Sequence, residues 1–306
     1  MTCGYRGPGV RVRVPAKINL HLAVGPRRPD GYHELLTVFH AVSLFDTVTA
    51  VAAPALTLEV TGADAAVVPD GPQNLAWRAA EVLAEHHGRR PGVRLLVDKA
   101  IPMMAGLAGG SADAAAALVA CDAVWQLHTP RPELVALAAT LGSDVPFALT
   151  GGTAIGTGRG ETLTPLMGSH LPLWWVLAIA AEGLSTPAVY AQFDRWVAPV
   201  SEADPLAAPT GLLRAIGTGD AKAVARELRN DLQAPSLALR RGLADTLAAG
   251  LDAGALGGLV SGSGPTCAFL TEDAASAGQV AERLGRAGVC RTTRVVTGPV
   301  TGASLC

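Results

Sequence analysis

The chain has 306 residues, 49% of them hydrophobic, and its 24 basic and 26 acidic side chains leave a formal net charge of -2. That length supports a large buried core and about two domains. Balanced charge without a basic block argues against a nucleic-acid track and points to a small-molecule partner. The five cysteines, Cys3, Cys121, Cys267, Cys290 and Cys306, are scattered, with no C-x-x-C pair and no histidine cluster at metal-ligand spacing. This is the pattern of a reduced, cytoplasmic protein with no structural metal.

Met1 to Gly9 lacks the apolar core of a secretory signal and reads as a loose tail. Val12, Val14, Ala16, Ile18, Leu20 and Leu22 then alternate with Arg11, Arg13, Pro15, Lys17, Asn19 and His21. The period of two predicts a strand with one buried face and with Lys17, Asn19 and His21 together on the other. After a turn at Gly25 to Gly31, strand-like segments run over Glu34 to Phe45, Asp46 to Ala52 and Leu56 to Val60. A helix spans Pro72 to His87 and stops at Gly88.

Val93 to Val97 reads as a short strand leading through Pro102 into a glycine-rich loop, and Ser111 to Leu127 as the helix that follows. Three glycines in that loop, Gly106, Gly109 and Gly110, free the backbone to turn its N–H groups toward a ligand. The unpaired amides and positive dipole end of the next helix favour an anion, so the junction is a candidate phosphate cradle. It is not a P-loop, because Gly110 is followed by Ser111 and Ala112 rather than by lysine. Nor is it a dinucleotide fingerprint, because it reads G-x-x-G-G-S and lies far from the first strand.

Arg131 to Leu141 predicts another helix, closed by Gly142. Gly151 to Gly160 reads as strand and hairpin turn. The apolar run Leu171 to Ala181, at 11 residues, falls well short of the ~20 a bilayer requires and reads as a buried strand. Strands and helices alternate from there, with a second glycine turn at Gly257 to Gly264 before the strand Thr266 to Leu270. The irregular order predicts an α+β fold, with a boundary between residues 160 and 170.

Five segments carry chemistry in order: Pro15-Ala-Lys-Ile-Asn-Leu20, Asp30-Gly-Tyr-His33, Gly106-Leu-Ala-Gly-Gly-Ser-Ala-Asp-Ala114, Gly142-Ser-Asp-Val-Pro-Phe147 and Ser261-Gly-Ser-Gly-Pro-Thr266. Together they resemble the motifs of the galactose, homoserine, mevalonate and phosphomevalonate kinase superfamily. The first four most closely resemble its branch that phosphorylates a cytidine diphosphate-linked methylerythritol on the non-mevalonate route to isoprenoid precursors. The match runs from residue 12 to about residue 270.

The resemblance implies an N-terminal ribosomal-protein-S5-like, ATP-binding domain over 10–165 and a C-terminal ferredoxin-like, substrate-side domain over 166–306. The active site would lie in the cleft between them. It also implies transfer of the γ-phosphoryl group of ATP to an alcohol, with Mg²⁺ as cofactor although no dedicated carboxylate for it stands out, in a monomer or weak homodimer that binds neither membrane nor nucleic acid.

Phosphoryl transfer is mostly positioning and charge stabilisation, and the resemblance distributes the parts. Asp144 is implied as catalytic base, with a turn or helix cap as its ordinary alternative, and Lys17 as its electrostatic partner. Asn19 is placed on substrate by the period of two it shares with Lys17. Tyr32 is expected to stack on the cytosine ring and His33 to hydrogen-bond its edge, with Thr186, Tyr190 and Phe39 completing the pocket. On the ATP side the expected residues are Asn74, Lys99, Pro102, Met103, Met104, Ala105, Gly106, Leu107, Ala108, Gly109, Gly110, Ser111 and Ala112.

Asp113 is read as a helix cap and Gly156, Gly158 and Gly160 as a hairpin turn. Met104, Ala105 and Ala108 stand where the superfamily is often glycine, which strains the loop wherever φ is positive. Three rival readings fit the chain less well. Other kinases of the superfamily lack the D-G-Y-H segment and the G-S-D-V-P-F context. A non-catalytic nucleotide-binding relative has no need of both Lys17 and Asp144. A dinucleotide oxidoreductase requires the missing first-strand fingerprint.

Overall fold

The computed structural model describes residues 9–62, 64–167, 171–196 and 206–306. The expected N-terminal tail up to residue 8, including Cys3, lies outside them, as do residues 168–170 of the expected boundary region. The chain opens with two long strands, β1 (Val10–Arg27) and β2 (His33–Ala52), paired antiparallel over almost their whole length. β3 (Thr57–Gly62), α1 (Leu75–His86), β4 (Val93–Lys99), α2 (Gly109–Trp125), α3 (Arg131–Leu141) and α4 (Val145–Thr150) follow. Next come the hairpin strands β5 (Thr153–Thr157) and β6 (Thr162–Pro165), then β7 (Leu173–Ile179) and α5 (Thr186–Trp196).

The rest of the chain holds α6 (Thr210–Thr218), α7 (Ala221–Arg226), β8 (Arg229–Asn230), α8 (Gln233–Leu239), α9 (Gly242–Asp252), β9 (Gly257–Val260), β10 (Cys267–Thr271), α10 (Ala274–Ala287), β11 (Thr292–Gly298) and β12 (Ser304–Leu305).

The first sheet runs β12-β1-β2-β4-β3, with β8 on β1 and the β5-β6 hairpin on β2. Helix α2 is apolar on nearly every side, and its small residues Ala112, Ala115, Ala116 and Ala120 let it sink into the core formed with α1 and the sheet. The second sheet is antiparallel in the order β11-β7-β10-β9. Numbered by chain order this is 4-1-3-2, the ferredoxin-like arrangement. Leu173, Trp175 and Leu177 of β7 face the large core, while Val176 and Ala178 face α9 and α10, so both sides of the strand are covered. The two sheets meet where the Thr297 amide donates to Ser43 Oγ at 2.8 Å.

Several expectations change. Glu34 to Ala52 is one strand, not two, because β2 bends through register shifts against β1 without leaving the ladder. Helix α1 starts at Leu75, not Pro72, since Asn74 Oδ1 accepts the Ala76 amide and caps it. β1 is buried on both faces from Val14 to Val24. A bulge at Leu20 separates the pairs Asn19–Phe39 and His21–Val38, and one extra residue exchanges the faces beyond it. His21 therefore leaves the face of Lys17 and Asn19, and Leu22 turns toward the cavity in its place.

Among the described residues no helix is long and apolar enough to cross a membrane. The run from Leu171 yields the buried β7, and Cys121, Cys267, Cys290 and Cys306 are free thiols.

Candidate active site

A cavity of about 690 Å³ opens between the glycine loop, β1, the start of β2 and α5. Lys17 and Asp144 meet in it, with Nζ 3.6 Å from Oδ2. Lys17 is 7% exposed and its ammonium donates to Asn19 Oδ1 at 2.8 Å. Asn19 Nδ2 in turn donates to Thr37 Oγ1 at 2.8 Å, and Thr37 donates to the His21 carbonyl. Asn19, expected on substrate, lines the cavity, and there its Oδ1 accepts from Lys17 and its Nδ2 donates to Thr37, which aims the lysine. Asp144 precedes α4 yet makes no capping hydrogen bond, so the ordinary use of an aspartate at this place is not taken up.

The glycine loop is sewn to the same strand, since the Lys17 amide donates to the Leu107 carbonyl at 3.2 Å. The first bond inside α2, from the Ala112 amide to the Ala108 carbonyl at 2.9 Å, leaves the amides of Gly109, Gly110 and Ser111 ahead of it. Ala108 offers no side chain to cap them. Uncapped donors at a helix start facing a cavity form a site for phosphate oxygens. Met103, Met104, Ala105, Gly106, Ala108, Gly109, Gly110 and Ser111 line the cavity.

Ala108 and Met104 have φ of 58° and 50°, the left-handed region in which an L side chain is strained, whereas Ala105 is not among the positive-φ residues. The second glycine turn braces the loop. A Cβ at Gly106 would lie 2.2 Å from the Ser261 carbonyl oxygen, and Ser261 Oγ donates to the Gly106 carbonyl at 3.1 Å. Gly262 faces Lys17, whose Nζ would be 3.3 Å from an added Cβ.

Asn74, Lys99, Pro102, Leu107 and Ala112 do not line the cavity. Asn74 is consumed as the α1 cap, and its Nδ2 donates to the Pro69 carbonyl at 2.7 Å. Lys99 is buried beneath the loop and donates to Asp46 Oδ2 at 2.5 Å and to Asp113 Oδ2 at 2.7 Å. Asp46 Oδ1 also accepts the amides of Ala100 and Ile101 at 2.6 and 2.8 Å, which anchors the approach to the loop.

Asp113 thus spans to Lys99 rather than capping α2. Burial and the second carboxylate push its pKa up, to about 8, against the pull of Lys99. Burial also opposes the Lys99 charge, but its two carboxylates hold its pKa above the ordinary value. On the loop's outer side the Met103 amide donates to Asp64 Oδ2 at 3.1 Å. Partial burial works against ionisation of Asp64, yet Arg291 and that amide keep its pKa below the usual range.

At the other end of the cavity stand Tyr32, 56% exposed, with the Arg159 guanidinium 5.0 Å from its ring centre, and the buried His33. Tyr190 stacks on His33 with centroids 5.1 Å apart, and Asp194 Oδ1 lies 2.7 Å from His33 Nε2. Burial, with the Asp144 charge nearby, raises the Tyr190 hydroxyl pKa. Thr186 Oγ1 is 2.7 Å from Ser263 Oγ, tying α5 to the second glycine turn. Phe39 lines the floor, stacked on Phe147 at 4.9 Å.

Asp46, Asp64, Arg159 and Asp194 escape the motif reading. Asp46 does leave a trace, since it interrupts the inward-facing series Leu44, Val48 and Ala50 with an acid.

Residues 74–152 match the family description "GHMP kinases N terminal domain" and residues 212–290 match "GHMP kinases C terminal". The chain is 56% identical over 298 residues to the 4-diphosphocytidyl-2-C-methyl-D-erythritol kinase of Rhodococcus jostii (strain RHA1), covering 97% of this chain and 94% of the relative. It is also 56% identical over 296 residues to the kinase of the same name from Mycobacterium tuberculosis (strain ATCC 25618 / H37Rv), covering 97% and 92%.

A crystal structure of 4-(cytidine 5'-diphospho)-2C-methyl-D-erythritol kinase aligns with a TM-score of 0.76 at 37% identity, over 94% of this chain and 98% of that one. The crystal structure of L. major mevalonate kinase in complex with R-mevalonate shares the fold with a TM-score of 0.72 at 13% identity, over 96% of each chain.

Proposed function

The chain belongs to the 4-diphosphocytidyl-2-C-methyl-D-erythritol kinases, a family of phosphotransferases among the GHMP kinases, and on that premise we propose that it moves the γ-phosphoryl group of ATP onto the 2-hydroxyl of 4-diphosphocytidyl-2-C-methyl-D-erythritol. The observation that carries this reading is the Lys17–Asp144 pair, 3.6 Å apart in a cavity that also holds the uncapped start of α2.

Asp144 accepts the hydroxyl proton as the substrate oxygen bonds to the γ-phosphorus, and the bond from that phosphorus to the β–γ bridging oxygen breaks to release ADP. Lys17, aimed by Asn19, offsets the charge gathering on the migrating group. The amides of Gly109, Gly110 and Ser111 hold phosphate oxygens in place. Tyr32 stacks on the cytosine ring and His33 meets its edge, with Thr186 and Tyr190 closing that end. On this reading residues 10–165 supply the ATP side and residues 166–306 close the substrate side.

Mg²⁺ fits the donors present. Among the described residues no group of three metal-ligating side chains exists, but Mg²⁺ keeps several waters and takes one or two protein oxygens plus phosphates. The Ser111 hydroxyl, on the cavity wall beside the uncapped start of α2, would hold it together with phosphate oxygens and waters, which leaves Asp144 free as the base. When bound it neutralises charge on the β- and γ-phosphates.

The test is ATP-dependent phosphorylation of the named substrate beside mevalonate and homoserine. The reading expects turnover of the first alone, and turnover of either of the others instead would replace the substrate assignment.

A further inference from the structure

His33 enters the cavity from the first position of β2, and its ring is held by one helix. Tyr190 stacks on the imidazole at 5.1 Å, Phe193 meets it edge-on at 6.0 Å, and Asp194 Oδ1 lies 2.7 Å from Nε2. These three residues stand at i, i+3 and i+4 on α5, and so on one face of it. Two aromatic contacts set the plane of the imidazole and the carboxylate sets its rotation. The His33 side chain is 6% exposed, so which ring nitrogen carries the proton has consequences for any ligand in the cavity.

An ionised carboxylate only accepts hydrogen bonds, so Nε2 carries the proton, and in a neutral imidazole Nδ1 is then an acceptor. We propose that Asp194 is a positioning residue for base selection: by keeping the His33 proton on Nε2 it presents an acceptor to the pyrimidine, which takes the exocyclic amine of cytosine and refuses the carbonyl of uracil. The two bases differ at that position, with an N4 amine donor on cytosine and an O4 acceptor on uracil. Two acceptors brought together leave both unsatisfied in a buried place, which costs more than the lost bond alone. Asp194 also lines the cavity, and its proposed part in base selection runs through His33. The inference rests on the cytidine pocket proposed above.

Cytidine 5'-diphosphate and uridine 5'-diphosphate serve as probes, titrated calorimetrically into the full-length protein and its Asp194→Ala and Asp194→Asn variants. The wild-type protein is expected to favour the cytidine form by about tenfold or more. Asp194→Ala should lose most of that ratio and raise KM for the cytidine substrate more than it lowers kcat, with KM for ATP unmoved. Asp194→Asn, whose amide oxygen still accepts from Nε2–H, should keep the ratio. Imidazole ¹⁵N shifts of His33 should report one tautomer in the wild type and a mixture in Asp194→Ala.

A ratio unchanged in Asp194→Ala overturns the proposal. So does an Asp194→Asn variant as unselective as Asp194→Ala, because charge rather than the tautomer would then be responsible. Equal binding of both nucleotides by the wild type would instead overturn the cytidine pocket, and this inference with it.

Discussion

The two ends of the cavity are made of different material. At the end proposed for phosphate the groups offered to a ligand are the uncapped backbone amides of α2, and side chains act from behind: Lys99, Asp46 and Asp113 beneath the loop, Ser261 at its flank. At the end proposed for the pyrimidine the cavity is faced by side chains, Tyr32, His33 and Tyr190, which are ordered by one another and by Asp194 and Arg159. A backbone site is damaged by whatever releases or crowds the backbone and is indifferent to trimming its own side chains. A side-chain site responds the other way, and the two should fail separately.

The largest effect on the phosphate end is expected from Asp46→Ala. It removes the acceptor for the Ala100 and Ile101 amides and leaves Lys99 with one buried partner. Breaking such a buried cluster costs roughly 3 to 5 kcal/mol, measurable by urea unfolding, and KM for ATP should rise while cytidine 5'-diphosphate affinity holds. A loss under about 1 kcal/mol would mean the cluster does not support the loop.

Next is Tyr32→Ala, which removes a stacking plate worth about 1 to 3 kcal/mol per base. KM for the cytidine substrate should rise roughly tenfold to a hundredfold with KM for ATP unmoved, and equal changes in both would erase the distinction between the ends.

The smallest effect runs in the stabilising direction. Ala108 has φ of 58° at the start of α2, a conformation that costs an L residue roughly 1 to 2 kcal/mol. Glycine would remove that strain while loosening the unfolded chain. Ala108→Gly should therefore gain about 0.5 to 1 kcal/mol, read as a small rise in Tm without a change in KM for the cytidine substrate. A fall in Tm would contradict the left-handed geometry of the loop.

The contrast between the ends also explains what could be read before the fold was known. Backbone sites need glycines and helix starts at fixed spacing, so the loop around Gly106 and Gly109 is visible as a string of letters, and Lys17, Asp144, Tyr32 and His33 sit inside equally short motifs. The supports are not local. Asp46 reaches across 53 positions to Lys99, and Asp194 across 161 to His33, so only folding brings them together.

The bulge at Leu20 is likewise invisible to a period-of-two reading. It is why His21 turned away from the Lys17 face and why Leu22 joined Val189 and Phe193 in a small core of its own. Lys99 shows the opposite hazard, since a lysine beside a glycine loop invites assignment to a nucleotide, yet its ammonium lies buried against Asp46 and Asp113.

The central claim is that Asp144 takes the hydroxyl proton next to Lys17. The direct measurement is single-turnover phosphoryl transfer from ATP to 4-diphosphocytidyl-2-C-methyl-D-erythritol by Asp144→Asn, with binding of both substrates followed in parallel. Loss of general-base catalysis predicts a rate lower by roughly 10² to 10⁴, with affinity for the cytidine substrate retained. Transfer at the wild-type rate, or a loss explained by weakened binding alone, would contradict it.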